Sequence, residues 1–254
     1  MHQFFPRFYT GTESLTLSVA EELKKRNHTV EIFTVEPHLP GDDIPPFIKA
    51  GWHEVQQHCQ PVLLKDTYEG IPIRRLFAAD PPDPVERLET ESNQKLRIKL
   101  YENLISEVRP DMIYVFHLMR ITGTFIEVVK NHGIPVYFVA TDFWLLCPTY
   151  QLIRQNGQLC KGPDMIECFK CMMVVSQRKI GHRSLKFRLS KYFPRLAAFI
   201  NPSAKTSQNI LCNRMLRHKR LMQQFDCVVW SNSFLRDMFH QNGFIGKNEK
   251  IIHP

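Results

Sequence analysis

Residues Ile134–Cys171 read IPVYFVATDFWLLCPTYQLIRQNGQLCKGPDMIECFKC. The opening run, Ile134–Ala140, is apolar and rich in β-branched and aromatic residues behind Gly133, the composition of a strand buried in a parallel sheet. Its carboxyl end delivers Thr141, Asp142, Phe143 and Trp144. Open α/β sheets take their ligands at that end of their strands. Four cysteines then follow, Cys147, Cys160, Cys168 and Cys171, in the spacing C-x12-C-x7-C-x2-C.

Outward from this strand, helix and strand patterns alternate. Ser14–Arg26 spaces Leu15, Leu17, Val19, Ala20 and Leu23 as a helix closed by Lys24–Arg26, and Thr29–Val35 alternates as a short strand. Pro37–Pro61 carries five prolines and is expected to be largely irregular. Glu69–Phe77 reads as a strand, and Pro81, Pro82 and Pro84 mark a loop before a helix over Val85–Val108 that stops at Arg109-Pro110. Asp111–Phe116 is a strand and Thr122–His132 a helix ended by Gly133. Beyond Cys171 the chain is helical in character to Gln224, broken at Gly181, Pro194 and Pro202; Asp226–Trp230 then returns to strand and Ser233–Gln241 to helix. This alternation predicts an α/β fold with a doubly wound parallel sheet and a helical, Cys-containing insertion at about 147–224.

With 254 residues and 43% hydrophobic content the chain can bury a substantial core, and one domain with a large insertion fits its length. No run approaches the ~18–20 apolar residues of a membrane span, and no cleavable signal is visible. Seven unevenly spaced cysteines do not form the pattern of a secreted disulfide framework, which favours a cytoplasmic location.

The net charge of +8 is concentrated. Between Phe169 and Phe225 stand thirteen Lys or Arg residues and no Asp or Glu; the remainder carries twenty basic and twenty-five acidic residues. Such a block attracts polyanions, each base near an anionic bilayer contributing roughly 1 kcal/mol. Phe187, Leu189, Tyr192 and Phe193 lie among the bases, the composition of helices that dock on a membrane surface. A solvated helical face is the plainer reading. Nucleic-acid binding is disfavoured because no base-reading motif accompanies the charge.

Three segments resemble the amino-terminal domain of the family 4 retaining glycosyltransferases. His2–Pro37, HQFFPRFYTGTESLTLSVAEELKKRNHTVEIFTVEP, is similar to the opening loop, first helix and second strand, with Gly11-Thr12-Glu13 in place of a Gly-Gly-x-Glu turn. Arg109–Met119, RPDMIYVFHLM, is similar to a Pro-Asp-Val-Val-His-x-His strand, with His117 near the recurrent histidines. The third segment is ATDFWLLCP, which has Thr141-Asp142 where many relatives carry His-Asp. The resemblance implies one Rossmann-like half of a GT-B fold, the acceptor-binding half. It also implies that the first strand lies upstream of His2 and that a carboxyl-terminal nucleotide-sugar domain is absent from this chain.

By the same resemblance, the full enzyme moves a sugar from a nucleotide-diphosphate sugar to a glycan or lipid-linked acceptor, peripherally at the inner face of the membrane. No divalent metal at the reaction centre is implied. Asp142 and His117 would be catalytic, Gly11, Thr12 and Glu13 would meet the donor diphosphate, and Thr141, Phe143 and Trp144 would meet the acceptor. From the residues alone, plainer roles stand beside these. Thr12 or Ser14 could cap a helix, Asp142 could cap a short helix that follows it, and His117 could be a satisfied histidine at a strand end.

The four cysteines fit a closed tetrahedral zinc site, which would be structural; reduced, partly buried thiols and disulfides are the alternatives. A non-enzymatic reading also stands, in which a zinc-pinned basic domain docks on a membrane or on nucleic acid.

Overall fold

The computed structural model describes residues 2–3, 11–36, 45–58, 60–79, 95–154, 156–180 and 202–253. Its elements in chain order are β1 (His2–Gln3), α1 (Gly11–Lys25), β2 (Ile32–Glu36), α2 (Pro46–His58), β3 (Val62–Tyr68), β4 (Ile71–Phe77), α3 (Lys95–Val108) and β5 (Ile113–Val115). There follow α4 (Gly123–Asn131), β6 (Val136–Ala140), α5 (Met165–Ile180), α6 (Pro202–Met222), β7 (Cys227–Trp230), α7 (Ser233–Gln241) and β8 (Glu249–Ile251). The expected loop at Pro81–Pro84, the first part of the helix over 85–108 and residues 181–201 of the expected insertion lie outside the described residues.

The chain is an α/β protein with a parallel sheet. Strands β5-β6-β7-β8 form a sheet in which every neighbouring pair is parallel. A second sheet has the order β1-β2-β4-β3; β1, β2 and β4 are parallel and β3 runs antiparallel to β4. His2 and Gln3 pair with Thr34 and Val35, so a short strand occupies the place beside β2.

The central strands form because their residues are covered, β2 on both faces and β6 fully on one and partly on the other. All five residues of β2 are buried, and so are Val136, Phe138 and Ala140 of β6 and Val228 and Trp230 of β7. Tyr101, Ile105, Phe125, Ile126, Val129, Phe225 and Phe239 from the flanking helices and turns complete the same core. Asp226 joins two strands at their amino ends, its carboxylate accepting from Val136 N (2.7 Å) and from Lys130 Nζ (2.8 Å).

Two features correct the sequence expectation. The proline-rich stretch contains α2, because Pro46 stands at the first helical position, where a missing N–H costs nothing. Trp52, Ile48 and Val55 of α2 pack on Phe77, and Gly51 lies so close that a Cβ there would be 2.5 Å from the ring. The second feature is the hairpin β3–β4, turned by Glu69 (φ 50°) and Gly70 (φ 71°), a left-handed pair that suits the twist of antiparallel strands.

Inside the first sheet lies a buried ion network. Arg75 of β4 donates through Nη1 to Glu36 Oε2 (3.2 Å) and through Nε to Asp66 Oδ2 (2.7 Å), with Glu36 wholly excluded from solvent.

Candidate functional site

The site is built where β5 and β6 end side by side. The strands pair in parallel through Val115 and Phe138, so the residues after each emerge on one edge of the sheet. His117 follows β5 by two residues and Asp142 follows β6 by two. His117 Nε2 and Asp142 Oδ2 are 2.6 Å apart. Met119 N–H donates to His117 Nδ1 (3.0 Å), so Nδ1 carries no proton and the neutral ring presents Nε2–H to the carboxylate. Asp142 Oδ1 accepts from Trp144 N–H (2.8 Å), which turns the chain back into the protein.

These bonds divide the roles. His117 is 4% exposed with both ring nitrogens engaged, whereas Asp142 keeps 30% of its side chain accessible. Asp142 is open to a ligand, and His117 faces that opening only through Asp142. The short helix expected after Asp142 is a turn, and the same carboxylate caps that turn by accepting from the Trp144 N–H.

The loop leading from His117 is held under strain. Arg120 (φ 67°) and Thr122 (φ 73°) both occupy left-handed backbone, at a cost on the order of 1–3 kcal/mol each. The α3 helix holds them there: Tyr101 Oη donates to Ile121 O (2.6 Å) and Arg97 Nη1 to Arg120 O.

The amino end of α1 reaches the same edge. Thr12 Oγ1 donates to Thr141 Oγ1 (3.1 Å), linking residues 129 positions apart. Gly11 is exposed, and a Cβ added there would meet no atom within 4 Å. Glu13 is buried in that turn. Thr12, Thr141, Asp142 and His117, each marked by its own sequence signal, therefore converge.

The aromatic pair divides. Phe143 is half-buried, its ring stacked on Phe239 and edge-on to Phe234. Trp144, expected to meet an acceptor, is instead core, at 3% exposure. Its ring lies between His117 (5.8 Å) and His218 (4.7 Å), under the Arg214 guanidinium at 5.1 Å.

Arg214 and His218 are hidden in the basic block. Four residues apart on α6, they share one helix face, the signal that could separate them from the solvated bases. Arg214 Nη2 donates to Trp144 O (2.7 Å) and His218 Nδ1–H to Leu145 O (2.9 Å), clamping the turn that carries Asp142. Burial, reinforced by the Arg214 charge, holds the His218 imidazole well below its ordinary 6.5. As pH falls below 6.5 the unfolded chain takes up a proton there that the folded chain refuses. Stability is therefore complete above that pH and declines below it, by at most ~1.4 kcal/mol per pH unit. In His218→Gln this part of the acid slope should vanish, as read by urea unfolding between about pH 5 and 8.

None of the six cysteines among the described residues forms a disulfide, so that alternative is not realised there. Burial pushes the Cys168 thiol up to about 12, and Cys147, Cys160 and Cys171 lie near enough for their charges to add to the shift. Still, among the described residues no three His, Cys, Asp or Glu side chains are gathered at metal-binding distances. A cavity of about 670 Å³ between α4 and α6, lined by Thr124, Glu127, Arg217 and Arg220, contains none of the convergent residues. No described helix is long and apolar enough to cross a membrane.

No protein-family model matches the chain, and no curated protein matches it significantly.

Proposed function

We propose that the chain is the acceptor-binding half of a retaining glycosyltransferase of family 4 type, a Rossmann-like half of a GT-B fold. The observation that carries this reading is the meeting of the α1 amino terminus, through Thr12, with the Thr141-Asp142 edge and its buried partner His117. A diphosphate and an attacking hydroxyl have to meet in that way for transfer. The strained loop after β5 supports the same place, since strain collects at functional sites.

In this reading Asp142 accepts a hydrogen bond from the acceptor hydroxyl and orients its lone pair toward the anomeric carbon. His117 positions Asp142: its Nε2–H fixes one carboxylate oxygen while the Trp144 N–H fixes the other. Negative charge growing on the departing diphosphate is met by N–H groups at the start of α1. Half-buried Phe143 offers an apolar wall to a sugar face, and Arg214 and His218 keep the floor of the site rigid. The acceptor is a glycan or a lipid-linked glycan, and the enzyme works peripherally at an anionic membrane on its cytoplasmic side. The basic run between Lys170 and Arg220 and the exposed Tyr150, Ile153 and Leu159 support that placement.

Gly11 gives the test. With open space around it, Gly11→Ala should leave folding unchanged or raise stability by about 0.5–1 kcal/mol. In the full-length gene product it should also raise the donor KM about tenfold, because a methyl group stands where the diphosphate approaches. An unchanged donor KM in a normally folded variant would remove α1 from the donor site.

A further inference from the structure

We propose that Cys147, Cys160, Cys168 and Cys171 bind one structural zinc ion, which fastens the turn carrying Asp142 to the start of α5. This inference stands whether or not the chain serves in sugar transfer.

The four thiols come from three separate pieces of chain and lie around one turn, with no three of them yet at metal-binding distances. Cys147 closes the turn after Asp142, its N–H donating to Phe143 O (2.6 Å). Cys160 ends a small loop joined by the bridge Ile153–Leu159 and by its own N–H to Leu152 O (2.8 Å). Cys168 and Cys171, three residues apart in the first turns of α5, share one helix face. The other three thiols lie within electrostatic reach of Cys168, and all four are half-buried and outside any disulfide.

The region needs a fastening of this kind. Between Cys147 and α5 the described backbone has no strand or helix of its own, and Tyr150, Ile153 and Leu159 are exposed. Leu152 fixes the segment to the main core, and a metal tie would add a second fixed point. Four thiolates suit zinc, which prefers soft sulfur ligands in a tetrahedron, and filling all four positions leaves no opening for catalysis.

The surroundings suit thiolates as well. The Arg154 guanidinium lies close enough to Cys160 to feel its charge and sits 4.0 Å from Glu167, an outer layer that offsets negative charge on sulfur. In the structure Cys147 Sγ is turned to Thr149 Oγ1 (3.2 Å) and Cys160 Sγ to Gly162 O (3.1 Å). Binding exchanges these weak contacts for metal bonds, draws the sulfurs inward by side-chain rotation and releases the thiol protons to solvent.

The test is metal content and thiol protection of the full chain, purified from zinc-containing medium and dialysed. One zinc per chain is expected, lost in Cys168→Ser and in Cys171→Ser but retained in Cys212→Ser. Cobalt added to metal-free protein should give the visible bands of a tetrahedral thiolate complex. Should the serine variants fail to fold, the wild-type protein decides alone: its four thiols should resist alkylation until a chelator is added. Wild-type protein without bound zinc, or thiols alkylated equally fast with and without chelator, would overturn the proposal.

Discussion

On the proposed function, Asp142→Asn should lower sugar transfer by roughly 10²–10⁴-fold, the range in which a positioned acid or base acts. The amide keeps the size of the carboxylate and removes its charge. It also creates a conflict that the geometry makes explicit. Trp144 N–H and His117 Nε2–H both point at Asp142 as donors, and His117 cannot change tautomer while Met119 N–H occupies Nδ1. An asparagine offers one acceptor and one donor, so either orientation leaves an N–H facing an NH₂. The expected loss of stability is about 1–3 kcal/mol, the cost of one unmet buried donor. Far-UV circular dichroism and urea unfolding separate that structural part from the catalytic part. A folded variant that transfers sugar at the wild-type rate removes Asp142 from the reaction.

Arg75→Ala has the largest expected effect on stability. It withdraws the guanidinium from Glu36, whose side chain is 0% exposed, and from Asp66 on the neighbouring strand. Removing one partner of a buried ion pair costs roughly 3–5 kcal/mol, because the remaining charge stays out of water. That is a large share of the ~5–15 kcal/mol that holds a typical domain folded. Replacing both partners, Arg75→Met with Glu36→Gln, should recover most of the loss, since no uncompensated buried charge then remains. Urea unfolding midpoints check both variants. A single-variant cost under about 1 kcal/mol would show that Glu36 relaxes toward water.

Much of the parallel framework is legible in the sequence. The runs at 134–140 and 227–230 are apolar because β6 and β7 lie largely buried in the sheet, and a segment of that kind advertises itself. The helix α7 is also plain, with Asn232 Oδ1 accepting from Leu235 N–H at its start. The helix α2 is not, since prolines that break a helix interior are tolerated at its first turn, and Gly51 is explained only by the ring of Phe77. The strand β3 gives little signal, because most of it is only partly buried and its burial alternates near the end.

The candidate site divides in the same way. Gly11, Thr12, Asp142 and His117 stand next to sequence signals, a helix start and two strand ends, and the fold joins them. Their division of labour is not legible, because it depends on which ring nitrogen Met119 occupies. Trp144 reads as an exposed aromatic platform in sequence and is core in the structure, since the turn made by Asp142 folds it under α6. Arg214 and His218 carry the same letters as the solvated bases around them; only their inward helix face distinguishes them.

The most direct measurement follows label from nucleotide-diphosphate sugars into membrane-extracted, lipid-linked acceptors, using the full-length gene product and its Asp142→Asn variant. Proton NMR of the product then reports the anomeric configuration. The expected result is transfer with the donor configuration retained, falling by roughly 10²–10⁴-fold in the variant. Inversion at the anomeric carbon, equal transfer by the two proteins, or no transfer by a folded protein offered the common donors would contradict the proposed function.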